Sequence, residues 1–187
     1  MNPICNFVSQ KHICVFFACL LCFLPNLVVA ADIAWGPYRG ANKSINITEQ
    51  DIANISDTGG NIISISCYHS PLVSRKSPHS INYPSLEKLD NIITWAELHG
   101  VKIIVDPHAV PCTRKRTTTK ASDLFWSSVL CKKSYITMWS AIAKRYANRG
   151  KVIAGYDLIN EPKIIYDKDS LSLSNWNTLI KDLIMEI

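Results

Sequence analysis

Glycine is scarce in this chain of 187 residues, with only 7, too few for a collagen-like or low-complexity chain. Cysteine is scarce where it would matter. Of the seven, Cys5, Cys14, Cys19 and Cys22 fall in the first thirty residues, leaving Cys67, Cys112 and Cys131 for the remainder. That distribution excludes a disulfide scaffold, and no pair of CxxC motifs is available for a zinc ribbon. Cys112 and Cys131 flank one loop and are the favoured pair, although sequence leaves the pairing open. Strong charge is also missing. The net charge of +5 falls to +4 once Lys11 is removed with residues 1–30, short of a nucleic-acid footprint. The one dense basic cluster, Arg114-Lys115-Arg116 with Lys120 nearby, reads as a solvated loop. A hydrophobic share of 48% excludes a disordered polar chain and permits one globular domain with a substantial core.

Acid is absent from the N-terminus until Asp32, and the stretch from Ile13 to Ala31 is almost wholly apolar. Lys11 and His12 before it, Pro25 within it and small residues at its end make a secretory signal spanning residues 1–30. The competing reading is an uncleaved anchor, since the run is nearly long enough to span a bilayer. Pro25-Asn26 interrupts it, which favours cleavage. The expected product is secreted, extracellular or periplasmic, without stable membrane association after cleavage. Sequons at Asn42, Asn46 and Asn54 matter only in a host that glycosylates exported chains.

From residue 31 onward a pattern repeats: a helix ending at glycine, an apolar strand, a polar loop. Thr48-Glu49-Gln50-Asp51 opens a helix with Ile47 and Ile52 placed as a hydrophobic staple, and Gly59-Gly60 closes it. Asn61 to Cys67 is a β-branched strand. Pro84-Ser85 opens a helix striped with Leu86, Leu89, Ile92, Ile93 and Ala96, closed by Gly100. Val101 to Val105 is the next strand. Tyr135, Met138, Trp139, Ile142 and Tyr146 stripe the helix that stops before Gly150, and Val152 to Ile159 is the strand after it. Ser174 caps a last helix carrying Trp176, Leu179, Ile180, Leu183, Ile184 and Ile187. With Tyr38–Ala41 as a first strand, this makes four successive βα units of an α/β fold with a parallel sheet covered on both faces. A doubly wound sheet and a (β/α)8 barrel compete. Arg39-Gly40-Ala41-Asn42-Lys43-Ser44 holds one glycine and no GxGxxG, which weakens the nucleotide-binding alternative.

Polar side chains collect past the strand ends, where α/β folds build their sites. Arg39 and Asn42 come after the first strand, Tyr68 and His69 follow the second, Asp106-Pro107-His108 the third, and Asn160-Glu161-Pro162 the fourth. Alternate residues of a strand share a face, so Asp106 and His108 point together, as do Asp157 and Glu161. A glutamate there, beside an amide and followed by proline, is poorly explained as core. It could cap a following helix; an active-site acid also accounts for the aligned polar residues on the other strands.

Gly155-Tyr156-Asp157-Leu158-Ile159-Asn160-Glu161-Pro162 resembles the fourth-strand motif of glycoside hydrolase family 5, the cellulase family of clan A. Asp106-Pro107-His108-Ala109-Val110-Pro111 is similar to its third-strand Asp-x-His motif, and Arg39-Gly40-Ala41-Asn42 to the Arg-Gly-x-Asn of its first strand. Trp139 through Tyr146 resembles the helix before its fourth strand. The match runs in order over nearly all of residues 31–187. It implies a (β/α)8 TIM barrel, here about its first four βα units, and a retaining two-carboxylate hydrolysis of β-linked polysaccharide or oligosaccharide. The resemblance implies that Glu161 is the acid/base, that Asn160 bonds the sugar 2-hydroxyl, and that His108 and Asn42 contact substrate. Tyr68 and Trp126 are candidates for stacking on sugar rings, with a core role equally open to each. No cofactor, metal or nucleic-acid partner is implied.

Two positions depart from the family pattern. Ser64 stands where the second strand usually carries an arginine, and Cys112 where a glycine usually follows Pro111. Such barrels run to about 250 residues, so the family's seventh-strand nucleophilic glutamate is not expected among these residues. Half a barrel would also bare a strand edge. A β-glycan hydrolase represented by its N-terminal part leads, ahead of a catalytically dead carbohydrate-binding remnant and of an unrelated secreted α/β protein. The signal reading has a direct test. Exported protein should begin at Ala31 or Asp32 by N-terminal sequencing, and material that still carries Met1 would establish the anchor instead.

Overall fold

The computed structural model describes residues 37–112, 123–160 and 171–187. The proposed signal segment therefore lies outside the described residues. Four strands alternate with helices: β1 (Gly40–Ser44), α1 (Glu49–Asp57), β2 (Ile62–Ser66), α2 (Tyr83–Leu98), β3 (Lys102–Asp106), α3 (Asp123–Ser127), α4 (Val129–Tyr146), β4 (Ile153–Tyr156) and α5 (Leu171–Glu186). Among these, the short α3 has no counterpart in the periodicity of the sequence, because five residues are too few to show a helical stripe.

The helix ends follow local chemistry. Thr48 Oγ1 accepts from the Asp51 amide (3.2 Å) while Asp51 Oδ2 accepts from the Thr48 amide (2.9 Å), a reciprocal cap on α1. Asn82 caps α2 with Pro84 in its first turn, and Ser128 caps α4 by accepting from the Cys131 amide. Gly59 and Gly100 follow α1 and α2 at φ +82° and +67°, left-handed conformations that glycine adopts without a Cβ penalty. Gly40 answers a different demand: a Cβ there would stand 1.8 Å from the Ile62 carbonyl oxygen, so glycine permits β1 to pair with β2.

The strands of the sheet pair in parallel, in the order β1-β2-β3-β4. This order decides the architecture. Parallel crossovers are right-handed, so an order that never reverses sends every connecting helix to the same face. A doubly wound sheet needs a reversal, and these strands have none. Burial agrees. Ile63, Ile65, Ile103 and Val105 are fully buried on the helix-facing side, whereas Ile62, Ser64, Ser66, Lys102 and Ile104 on the other side are half-buried. The sheet thus has a helix-covered face and a more open, more polar face, consistent with the first βα units of a (β/α)8 barrel rather than a sheet covered by helices on both sides.

The predicted stripes form the core. Leu86, Leu89, Ile92, Ile93 and Ala96 of α2 and Tyr135, Met138, Trp139, Ile142 and Tyr146 of α4 are all buried. Of the stripe read on α5, Leu179 and Leu183 are fully buried and Ile184 is 62% exposed, so the packed stripe ends a turn early. β1 spans Gly40–Ser44 rather than Tyr38–Ala41, which places Arg39 before the strand. There its amide donates to Asn61 Oδ1 and its Nε to the Gly59 carbonyl, away from the strand ends where a site forms.

Asp90 ties α2 to α4. Arg145 Nε donates to Oδ1 (2.8 Å) and Nη2 to Oδ2, and Tyr146 Oη donates to Oδ1 (2.8 Å). The Arg145 hydrogen bonds hold the Asp90 carboxyl below its ordinary range; burial opposes them, and the Tyr146 bond adds a smaller lowering effect. A depressed acid stabilises the fold above its unfolded pKa, and that contribution is lost as pH falls through the folded value. Asp90→Asn should cost about 1 kcal/mol at neutral pH, the scale of a partly exposed ion pair. Urea titrations of both proteins should converge in acid; a gap that persists there would show that the charge is not what ties the helices.

Candidate active site

The polar residues expected at the strand ends share one end of the sheet because all four strands run the same way. In-register pairing aligns Asn42, Ser64, Ile104 and Gly155 across the four strands, and Ser44, Ser66 and Asp106 one level further on. Backbone hydrogen bonds extend the ladder past the strands. The Cys67 amide donates to the Asp106 carbonyl and the Asp157 amide to the Val105 carbonyl, each at 2.9 Å. The segments leaving β2, β3 and β4 are therefore held together before they diverge.

Asp106 is 1% exposed. Its Oδ2 lies 2.7 Å from His108 Nδ1, and His108 Nε2 lies 3.3 Å from Asn160 Nδ2. The directions of these bonds form one consistent set. A carboxylate accepts, so His108 Nδ1 carries the proton and Nε2 is left as an acceptor for the Asn160 amide. Asn160 keeps its second N–H and its Oδ1 for another partner. His108 itself stands at φ +53°, a left-handed conformation uncommon for histidine. Strain of this sort, of order 1 kcal/mol, persists where surrounding contacts over-determine a position.

Tyr68 presents an edge-to-face contact to the His108 ring, with centroids 5.8 Å apart, and another to His69 at 5.2 Å. Sequence reasoning missed Arg75. Its guanidinium lies 5.1 Å from the centroid of the Tyr68 ring, and Nη2 donates to the Tyr68 carbonyl (2.9 Å). Ser64 leaves its position on β2 uncharged, and the cation that reaches this corner comes instead from the loop after the strand. Nothing in that loop's pattern separates Arg75 from an ordinary surface charge.

Also missed was the role of two aromatics read as core stripe. Tyr135 Oη (2.8 Å) and Trp139 Nε1 (3.3 Å) both donate to the Leu158 carbonyl, two residues before Asn160. Core residues thereby position the segment leaving β4.

The structure brings His108, Asn160 and Tyr68 together, with Asp106 beneath them. Asn42 is exposed in the middle of β1 and shares none of these contacts. Trp126 packs edge-on against Phe125 and Trp176 in the helix layer. Glu161 lies outside the described residues, directly after Asn160.

The chain matches the family model "Cellulase (glycosyl hydrolase family 5)" over residues 29–187. Among curated proteins it is 25% identical to a probable glucan 1,3-beta-glucosidase A of Neosartorya fischeri over 143 residues, covering 75% of this chain and 34% of that protein. It is 27% identical to endoglucanase C of Acetivibrio thermocellus over 141 residues, covering 75% of this chain and 38% of the relative. The chain thus spans about a third of the length of the curated relatives it matches. Among solved structures it is similar in fold to a glycoside hydrolase, with TM-score 0.64, 18% identity, and 80% of this chain and 49% of that one covered. A second is Pseudomonas stutzeri endoglucanase Cel5A, with TM-score 0.55, 20% identity, and 84% and 44% covered.

Burial raises the Asp106 carboxyl above its ordinary range, opposed by the hydrogen bond from His108. The sign is opposite to that at Asp90. An acid whose folded pKa is raised favours folding most below its unfolded pKa, and this contribution declines as pH rises through the folded value. Asp106→Asn should remove that decline. Thermal melts of both proteins from acid to neutral pH should give a difference curve that shifts in the variant's favour as pH rises; a flat curve would refute the account.

Proposed function

The chain belongs to glycosyl hydrolase family 5, and we propose that it carries the acid/base half of a β-glycan hydrolase site, with Glu161 as the proton donor and acceptor. One observation supports this most: the Asp106–His108–Asn160 series of hydrogen bonds, which orients the amide next to Glu161. Glucanases and endoglucanases among its relatives favour a β-glucan or a related oligosaccharide as substrate, and the leader segment favours secretion.

In this reading the substrate lies along the open, polar end of the sheet. Glu161 protonates the departing glycosidic oxygen and then takes a proton from the incoming water. A retaining reaction needs a second carboxyl about 5–5.5 Å away as nucleophile, and neither Asp106 nor Asp157 is assigned that role. Asp106 is sealed beneath His108, with one oxygen occupied by the ring. The hydrolase in this proposal is therefore the polypeptide that joins these residues to the second carboxylate.

Asn160 acts on the sugar next to the breaking bond. With one N–H directed at His108 Nε2, the amide cannot turn freely, so its remaining N–H and Oδ1 face the 2-hydroxyl in a set orientation. That bond strengthens as positive charge develops on the sugar ring. His108 serves twice, holding Asn160 with Nε2 and walling the site beside Tyr68. Tyr68 contributes an aromatic wall to the sugar subsite.

The test compares substrates of different leaving-group demand in the polypeptide that carries both carboxylates. Glu161→Gln should lower turnover on soluble β-glucan by about 10²–10⁴-fold and spare far more activity on an aryl β-glycoside with a good leaving group. Asn160→Ala should reduce kcat more than it raises KM. Wild-type turnover of Glu161→Gln on the polysaccharide would overturn the assignment.

A further inference from the structure

Away from Glu161, three side chains from separate segments converge: His79 from the loop between β2 and α2, Cys112 from the loop after β3, and Cys131 from the first turn of α4. Their ligand atoms lie within 4.8 Å of one another. Cys112 and Cys131 are joined as a disulfide, with Cα atoms 6.1 Å apart, and His79 Nε2 stands 3.2 Å from Cys112 Sγ. Both sulfurs are nearly sealed from solvent, at 7% and 3% residue exposure.

The histidine is held in a ligand's tautomer. His79 Nδ1 lies 3.1 Å from the Ser74 carbonyl, which can only accept, so Nδ1 carries the proton and Nε2 presents its lone pair to the sulfurs. A backbone carbonyl behind the ring is the usual support of a metal-bound imidazole. While the disulfide is closed, no proton lies between Nε2 and Cys112 Sγ. His79 and Cys112 both stand in left-handed backbone, at φ +55° and +66°. Each is a strained position for a residue with a side chain. Ser74 and Ser80 are joined by a backbone hydrogen bond, as are His79 and Lys76, and these fix the turn that presents the ring.

The spacing suits a tetrahedral ion. Bonds of about 2.3 Å to sulfur and about 2.0 Å to nitrogen in a tetrahedron place ligand atoms roughly 3.5–3.8 Å apart, a spacing the cluster, whose ligand atoms lie within 4.8 Å of one another, can reach once the disulfide opens. We propose that His79, Cys112 and Cys131 form a redox-gated site for a thiophilic divalent cation of the zinc class. Closed, the disulfide shuts the site. A dithiol reductant supplies two electrons and two protons, becoming a disulfide itself, and leaves two thiols. The cation then displaces both thiol protons and forms two bonds to sulfur and one to Nε2, with solvent as the fourth ligand. The Nδ1 proton stays on the ring nitrogen, donated to the Ser74 carbonyl. Occupied or oxidised, the cluster ties the loop four residues beyond His108 to α4; reduced and empty, it lets go.

The test uses the 187-residue chain with Cys5, Cys14, Cys19 and Cys22 replaced by Ser, with Co²⁺ as a spectroscopic probe after anaerobic reduction by a phosphine. The reduced chain should take up one Co²⁺ with thiolate-to-metal absorbance that Zn²⁺ abolishes, and the oxidised chain should take up none. Cys112→Ser should eliminate the absorbance, and His79→Ala should weaken binding at least tenfold. Cys67→Ala, removing a thiol buried elsewhere, should leave binding unchanged. If reduction itself unfolds the chain, Zn²⁺ should restore the helical circular dichroism of the wild type and not of Cys112→Ser. Reduced protein that neither binds Co²⁺ nor refolds with Zn²⁺, or equal affinity in the His79 or Cys112 variant, would overturn the proposal.

Discussion

A carboxylate sealed under an imidazole governs the strand-end region of this protein. Asp106 is 1% exposed and one of its oxygens has no hydrogen-bond partner among the described residues. Burial without full compensation is costly, and the compensation comes from His108 Nδ1 at 2.7 Å. That single bond selects the His108 tautomer, the tautomer makes Nε2 an acceptor, and the acceptor orients the Asn160 amide. Take away the carboxylate and each later step loses its reason. The left-handed backbone at His108 belongs to the same account, since it returns the ring over the residue two positions earlier.

Much of the fold was legible because the signals are local and repeated. Capping residues, glycine stops and apolar periodicity located the long helices and the strands, and the α2 and α4 stripes are the buried ones. The competition between doubly wound sheet and barrel was harder to settle by pattern. Both architectures share alternating strands and helices; they differ in strand order, which is a property of pairing. The shift of β1 has a similar cause. Gly40 is needed for close approach to Ile62, a contact with a strand 22 residues away. Nothing near Gly40 in sequence reveals it, so Arg39 was placed at the wrong end of the strand.

The candidate site divides along the same line. His108 and Asn160 stood out because polar residues beside apolar strands are conspicuous. Arg75, Tyr135 and Trp139 did not. Arg75 acts through a ring seven residues away in a loop without periodicity. Tyr135 and Trp139 look like core by every local measure and are core by burial. Their N–H and O–H groups nonetheless hold the Leu158 carbonyl, a pairing across 23 and 19 residues. One side chain can satisfy both demands because an aromatic body fills the layer while its polar tip reaches an unpaired backbone group.

This division of labour explains how a site on one side of a parallel sheet is controlled from the other. The helix layer packs against Ile63, Ile65, Ile103 and Val105, and that packing sets where α4 lies. From there α4 reaches the strand ends at two points. Tyr135 and Trp139 hold the segment leaving β4, and Cys131 holds the segment leaving β3 through Cys112. His108 and Asn160 sit one on each of those segments, 3.3 Å apart. Their separation is thus bounded by a single helix gripping both supports, rather than by the loops that carry them. Loops ordinarily give up geometric precision for variability; here the precision comes from buried donors and a covalent tie on a packed helix.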